Sequence, residues 1–145
     1  MRISQVLAGK GSHEVVTVRP DASVRELIGT LAEHNIGALV VSSDGSSVEG
    51  IVSERDVVRR LHEDEKVLDA PVSAIMTADV HTCEGDQPIT SLMAVMTERR
   101  VRHVPVVQND RLTGIVSIGD VVKSRMSELE FERDQLDSYV HGAQT

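Results

Sequence analysis

The sequence predicts an α/β fold (α+β in some classifications) of two βαββα repeats, related by pseudo-twofold symmetry and followed by a C-terminal helix. The first observation is a repeated nonapeptide: residues 50–58 read GIVSERDVV and residues 114–122 read GIVSIGDVV, identical at seven of nine positions. The second is an apolar stripe with helical spacing ahead of each copy, within residues 24–36 and 89–101. The third is composition: the chain is 40% hydrophobic but has no Trp, one Tyr and one Phe, which predicts an aliphatic core.

Each repeat is predicted to run strand, helix, strand, turn, strand, helix. Ser23 and Pro88 are suitable residues for the start of the first helix in each repeat. Turn residues at 44–47 and 109–111 indicate a hairpin between the second and third strands. The predicted elements lie at 15–18, 24–36, 38–41, 50–53 and 54–62 in repeat 1, and at 80–83, 89–101, 101–106, 114–117 and 118–129 in repeat 2.

These elements divide the chain into five segments. They are an N-terminal segment (1–12), repeat 1 (13–62), a charged linker (63–77), repeat 2 (78–126), and a C-terminal amphipathic helix and tail (127–145). A unit of about 50 residues buries too little surface to be stable alone. We therefore expect the two repeats to pack together, each with a three-stranded sheet, and to enclose two related crevices.

An apolar stripe continues beyond repeat 2, through Met126, Leu129, Leu136 and Val140. This spacing predicts an amphipathic helix of about 20 residues. The helix either lies back over its own module or makes a dimer contact, and we expect a homodimer.

Charge and composition argue against several classes of function. A net charge of −8 disfavours binding to nucleic acid or to a membrane surface, and no apolar segment approaches the ~18 residues of a membrane span. The single cysteine, Cys83, leaves no internal disulfide and is typical of a reducing, cytoplasmic compartment. The histidines make no H-x-x-x-H pair, and the sequence has no P-loop and no nucleophile with a matching base. We expect neither a metal site nor enzyme activity.

A serine and an aspartate recur three residues apart in both nonapeptides, as Ser53 and Asp56 and as Ser117 and Asp120. One interpretation is structural: a Ser at the helix N-cap and an acidic residue at the third helical position form a capping box. The other is ligand binding, because a carboxylate in the first helical turn can accept both hydroxyls of a ribose while the helix amides meet a phosphate. The two interpretations are compatible.

The repeats resemble CBS domains, and the chain resembles a tandem pair of them, often called a Bateman module. The resemblance rests on the G-h-h-S/T-x-x-D element at 50–56 and 114–120, on Val104-Pro105-Val106, and on Ile75-Met76-Thr77 before repeat 2. It implies that the crevices bind an adenine nucleotide, AMP first and NAD(H) or ATP next, with no other cofactor required.

The resemblance also implies roles for individual residues. Asp56 and Asp120 would hold ribose, and the phosphate contacts would be Ser53, Ser117, Arg55, Arg102 and His103. Repeat 1 has the uncharged Gly37 and Ala38 where repeat 2 has Arg102 and His103, which predicts unequal crevices with the more anionic ligand beside Asp120. Adenine would lie against Thr77, Val80, His81, Thr82, Val104 and Pro105 in repeat 2, and against Ser12, Val15, Val16, Thr17, Gly37, Ala38 and Leu39 in repeat 1.

We therefore expect a nucleotide-binding regulatory sensor that acts in trans on an unidentified protein target, through a change of conformation or assembly. The alternative is a ligand-free dimerising adaptor, which predicts no thermal shift with any nucleotide.

Overall fold

The computed structural model describes residues 1–10 and 15–143 and has the predicted α/β architecture. Two short 3₁₀ turns, Glu65–Asp69 and Val72–Ala74, connect the repeats. In chain order the helices and strands are α1 (Ile3–Ala8), β1 (Thr17–Val18), α2 (Val24–His34), β2 (Ala38–Val41), β3 (Gly50–Ser53), α3 (Glu54–Glu63), α4 (Ile89–Arg99), β4 (His103–Gln108), β5 (Arg111–Ser117) and α5 (Ile118–Ala143).

The helices α2 and α4 are each two residues shorter than predicted, because both end at a residue in the left-handed conformation. Asn35 has φ of 51° and Arg100 has φ of 54°, and this geometry terminates a helix. At the other end of α2, the Ser23 side chain accepts a hydrogen bond from the Glu26 amide at 3.1 Å. Ser23 is therefore the N-cap that the sequence predicted.

The two sheets differ, which corrects the prediction of three strands in each. In repeat 1, β1 pairs parallel with β2, and β2 pairs antiparallel with β3. In repeat 2, β4 and β5 form a two-stranded antiparallel sheet, and Cys83 adds only a single parallel bridge to Val106. The expected strand at 80–83 is not formed, since a turn bond from the Val80 amide to the Ala78 carbonyl (3.1 Å) bends the chain just before it.

The segment that precedes each repeat packs on the other repeat. Helix α1 precedes repeat 1 but buries Ile3 and Val6 among the core residues of repeat 2. The 3₁₀ turn that precedes repeat 2 buries Val72, and with it Ile75, in the core of repeat 1. The crossed segments bind the two repeats to each other, as the small size of each unit requires.

Helix α5 runs without a break from the second nonapeptide into the tail. Val121 near its start is buried, at 1% exposure. From Leu129 to Gly142 every side chain is exposed, so this part of the helix does not lie back over its own module. The exposed apolar side chains along α5 are Ile118, Val122, Met126, Leu129, Phe131, Leu136, Tyr139 and Val140.

Candidate functional site

A cleft of about 530 Å³ opens at the start of α5, between the two repeats. This volume falls within the range of small-molecule sites. Repeat 2 contributes β5 residues with Ser117 and Asp120, and also His103. Repeat 1 contributes the facing wall, and the end of α1 closes one side with Leu7 and Lys10.

Ser117 and Asp120 cap the first turn of α5 reciprocally. The Ser117 amide donates to Asp120 Oδ2 at 2.9 Å, and the Asp120 amide donates to Ser117 Oγ at 3.2 Å. The capping interpretation therefore describes this pair. The same bonds fix the carboxylate at the edge of the cleft, beside the amides of a helix N-terminus, where an anion is stabilised.

Lys10 is a residue of this cleft that sequence reasoning did not identify. Its Nζ lies 2.8 Å from Asp120 Oδ2 and donates to the Ile115 carbonyl, also at 2.8 Å. Lys10 comes from the segment before repeat 1, more than a hundred residues from Asp120 in the chain. To identify Lys10 from the sequence, one would have to know that the two preceding segments cross. A sequence repeat alone does not reveal this.

The charges in the cleft shift two pKa values. Burial acts to raise the pKa of Asp120, but the hydrogen bonds from Lys10 and Ser117 and the Lys10 charge outweigh it, so the pKa lies below its ordinary value. Burial lowers the pKa of His103, and although the Asp120 carboxylate opposes it, Lys10 acts in the same direction as burial. At neutral pH the cleft therefore presents an ionised Asp120, paired with Lys10, and a neutral His103.

The facing wall comes from repeat 1, and its central part consists of small and apolar groups. Val15, Val16, Gly37 and Ala38 line this part, and the polar His34 and Asn35 lie beside it. A Cβ added at Gly37 would come within 3.6 Å of Glu54 Oε1 and 3.8 Å of the His103 ring. A planar group that enters the cleft would meet main chain and methyl groups here, with the Glu54 carboxylate close to Gly37.

This arrangement reverses the pairing of motifs and adenine walls that the sequence analysis assumed. The wall residues Val15, Val16, Gly37 and Ala38 lie with Asp120, although they were assigned to the Asp56 crevice. Thr77 was assigned to Asp120, but its amide and carbonyl pair with Ile51, which lies within the motif of repeat 1. The reason is the crossing of the repeats, which places each motif opposite a segment of the other half.

The other predicted wall residues have different positions. Leu39 and Val104 are 1% and 0% exposed, and Pro105 is also buried, so their side chains belong to the cores. Val80, His81 and Thr82 lie in the irregular segment after Thr77, and Thr17 is in β1. Ser12 lies outside the described residues.

The motif of repeat 1 has the same cap with a different surrounding. Asp56 Oδ2 accepts from the Ser53 amide at 2.8 Å and from Ser53 Oγ at 3.0 Å, and the Asp56 amide donates back to Ser53 Oγ at 3.3 Å. Arg55 is exposed on the first turn of α3. Arg102 is also exposed, and its carbonyl accepts from the Ile118 amide at 2.8 Å.

The described part of the chain contains neither a candidate metal site nor a reactive thiol. Residues 1–10 and 15–143 contain no group of three or more His, Cys, Asp and Glu side chains that could hold a metal ion. Cys83 is buried, and burial raises the pKa of its thiol to about 11, which keeps it protonated and unreactive. Over the same described ranges, no helix is both long and apolar enough to cross a membrane.

Comparison with known proteins agrees with this fold. The family model of the CBS domain matches residues 8–63 and 72–127. The two matches cover most of the chain, so it belongs to the CBS-domain family and carries two CBS domains in tandem.

Three relatives illustrate the likeness. The chain is 32% identical over 148 residues to the mitochondrial CBS domain-containing protein CBSX3 of Arabidopsis thaliana, covering 97% of this chain and 72% of that protein. The crystal structure of a CBS-domain containing protein from Agrobacterium tumefaciens is 46% identical, with a TM-score of 0.81 over 86% of this chain and 99% of that one. A CBS domain protein from Pyrobaculum aerophilum, complexed with AMP, is 29% identical, with a TM-score of 0.73 over 83% of this chain and 89% of that one.

Proposed function

We propose that this protein is a regulatory module that binds an adenosine nucleotide in the Asp120 cleft, with AMP as the first candidate and NAD(H) or ATP as alternatives. The observation that carries the proposal is the ionised carboxylate of Asp120, fixed by Ser117 at a helix N-terminus and facing small and apolar residues of repeat 1 across the cleft. The AMP complex of the Pyrobaculum aerophilum relative supports the same ligand class.

The residues of the cleft suit the three parts of a nucleotide. The ribose hydroxyls donate to the Asp120 carboxylate, as a cis-diol does to the acidic residue of dinucleotide folds. The phosphate meets the Ser117 hydroxyl at the positive end of the α5 helix dipole, with His103 as a neutral neighbour. The adenine ring lies against Val16 and Gly37, where the wall is formed by a small apolar side chain and main chain.

A second crevice at the repeat 1 motif is part of the proposal. Asp56 takes the ribose there and Ser53 the phosphate, with the exposed Arg55 as the basic residue on the same helical turn. Arg102, predicted as a phosphate contact beside Asp120, is exposed and is not among the residues that line the Asp120 cleft. Thr77, held against Ile51 by two backbone hydrogen bonds, provides the facing wall. We propose that this crevice binds more weakly than the Asp120 cleft.

We further propose that the module is a cytoplasmic homodimer that acts on a protein target without catalysing a reaction itself. The exposed apolar side chains of α5, such as Phe131 (63% exposed) and Tyr139 (77% exposed), support a contact with another protein surface. The same side chains favour the second candidate, a dimerising adaptor that binds no ligand. The adaptor predicts self-association that does not respond to nucleotides.

The test is a calorimetric titration of protein stripped of co-purified nucleotide, with AMP, ATP, NAD⁺, NADH and S-adenosylmethionine as ligands. Asp120→Asn is compared with Asp56→Asn, which removes the same cap from the other repeat and so controls for folding. The proposal expects saturable AMP binding that Asp120→Asn abolishes and Asp56→Asn largely preserves. Equal losses from both would contradict unequal crevices, and no heat with any ligand would support the adaptor.

A further inference from the structure

The crossed segments before the two repeats can be aligned residue by residue from their backbone hydrogen bonds. The Ile3 amide donates to the Gln87 carbonyl at 3.0 Å, and the Val72 amide donates to the Ala22 carbonyl at 2.8 Å. Gln87 and Ala22 are equivalent positions of the two repeats. Ile3 and Val72, sixty-nine positions apart in the chain, are therefore also equivalent.

The same offset holds where these segments reach the ligand motifs. A Cβ built on Gly114 would lie 2.7 Å from Leu7 Cδ2, and one built on Gly50 would lie 2.6 Å from Met76 Sδ. Leu7 and Met76 are again sixty-nine positions apart, and each covers the glycine that opens its motif. The alignment therefore extends to the edge of both crevices.

Three residues further on, the two segments carry opposite charges. Lys10 stands at the Asp120 cleft, and the residue sixty-nine positions later is the exposed Asp79. Lys10 reaches Asp120 at 2.8 Å. The backbones diverge just before these two residues, because Ala8 belongs to α1 whereas Thr77 pairs with Ile51.

We propose that Lys10 makes the Asp120 cleft select a phosphorylated adenosine over an uncharged one. This inference rests on the proposed nucleotide function and adds to it the charge class that this cleft accepts.

The charges in the cleft support this assignment. Lys10 is the only Lys or Arg among the described residues that line the Asp120 cleft, where Asp120 supplies the negative charge. His103 is neutral at pH 7 because burial lowers its pKa, so it adds no compensating charge. Without Lys10 the lining would be net negative and would repel a phosphate dianion.

The Lys10 side chain is also long and flexible enough to contact a bound ligand. Its ammonium carries three donors on a flexible stem, and it is held here by one carboxylate oxygen and one backbone carbonyl. A ribose that takes over Asp120 leaves the ammonium free to turn to the phosphate without a backbone movement. A charge-assisted hydrogen bond to phosphate is stronger than one between neutral groups.

The experiment compares AMP with adenosine by calorimetry on the full chain, so that the ratio of the two affinities isolates the phosphate. Lys10→Met is the test variant, Lys10→Arg retains the charge, and Lys66→Met in the exposed linker controls for the change in net charge. We expect Lys10→Met to weaken AMP binding roughly tenfold to a hundredfold and adenosine binding little. We expect Lys10→Arg to keep most of the AMP affinity and Lys66→Met to match the wild type.

The inference is overturned if Lys10→Met lowers AMP and adenosine affinity equally, or changes neither. If the wild type binds neither compound, the proposed function itself fails, and the two failures are thereby distinguished.

Discussion

The two ligand motifs of this protein have the same local structure and different surroundings. Ser53 with Asp56 and Ser117 with Asp120 make the same pair of capping hydrogen bonds at the start of a helix. Beyond the caps they diverge, since Lys10 from the segment before repeat 1 lies at hydrogen-bond distance from Asp120, whereas the residue sixty-nine positions after Lys10 is the acidic Asp79. The duplicated motif thus keeps the same backbone geometry, while the segments that cross from the other half give the two copies different surroundings.

Among the differences between the two motifs, we expect the largest in the loss of stability when the first glycine of each is replaced by alanine. A Cβ on Gly50 would meet Met76 Sδ at 2.6 Å and the Thr77 carbonyl at 3.0 Å, and that carbonyl is bonded to Ile51. A Cβ on Gly114 would meet only Leu7 side-chain atoms within 3.5 Å. Gly50→Ala should therefore lower the free energy of unfolding by about 2 kcal/mol, and Gly114→Ala by about 1 kcal/mol or less. Urea denaturation measures both, and a larger cost at Gly114 would contradict the account of the crossed segments.

The two N-caps, in contrast, should contribute equally to the free energy of unfolding. Ser53→Ala and Ser117→Ala each remove one N-cap acceptor and should each lower the free energy of unfolding by about 1 kcal/mol. Urea denaturation of the two variants in parallel gives the difference. A gap of more than about 1 kcal/mol between them would show that the motifs are not equivalent even locally.

The smallest expected effect is a pH dependence of the folding stability, which comes from a histidine that only repeat 2 has at this position. His103 stands where repeat 1 has Ala38, and burial lowers its pKa below the ordinary value of 6.5. The unfolded chain therefore takes up the proton first, so the folded state loses stability as the pH falls below about 6.5 and the loss levels off below the folded pKa. Thermal unfolding between pH 5 and 8 should show a shallower slope in His103→Gln than in the wild type. The exposed His62→Gln is the control, and identical profiles for wild type and His103→Gln would refute the assignment.

Much of the fold followed from the sequence, because it depends on local patterns. The apolar spacing located α2 and α4, and the Ser23 cap was visible before the structure. The third strand of the second sheet was predicted wrongly, since the pattern around Cys83 does not show the turn at Ala78 that bends the chain. The unbroken course of α5 was also missed, because the second nonapeptide and the tail were treated as separate segments.

The candidate site was less predictable than the fold. The motif residues Asp120 and Ser117 were recognisable because they repeat and because they resemble a known family. Val15, Val16, Gly37 and Ala38 were predicted beside Asp56 but lie in the cleft with Asp120, and Lys10 was not considered, since both positions depend on how the two halves cross. Contacts between residues a hundred positions apart leave no periodic signal in a single sequence.

The central claim is that Asp120 and the repeat 1 wall together form a nucleotide site, and a crystal structure of the protein with AMP tests it most directly. The account predicts ribose hydroxyls within hydrogen-bond distance of the Asp120 carboxylate, with the adenine against Val16 and Gly37. AMP bound instead with its ribose on Asp56 and its base against Thr77, with the Asp120 cleft unoccupied at saturating ligand, would contradict it.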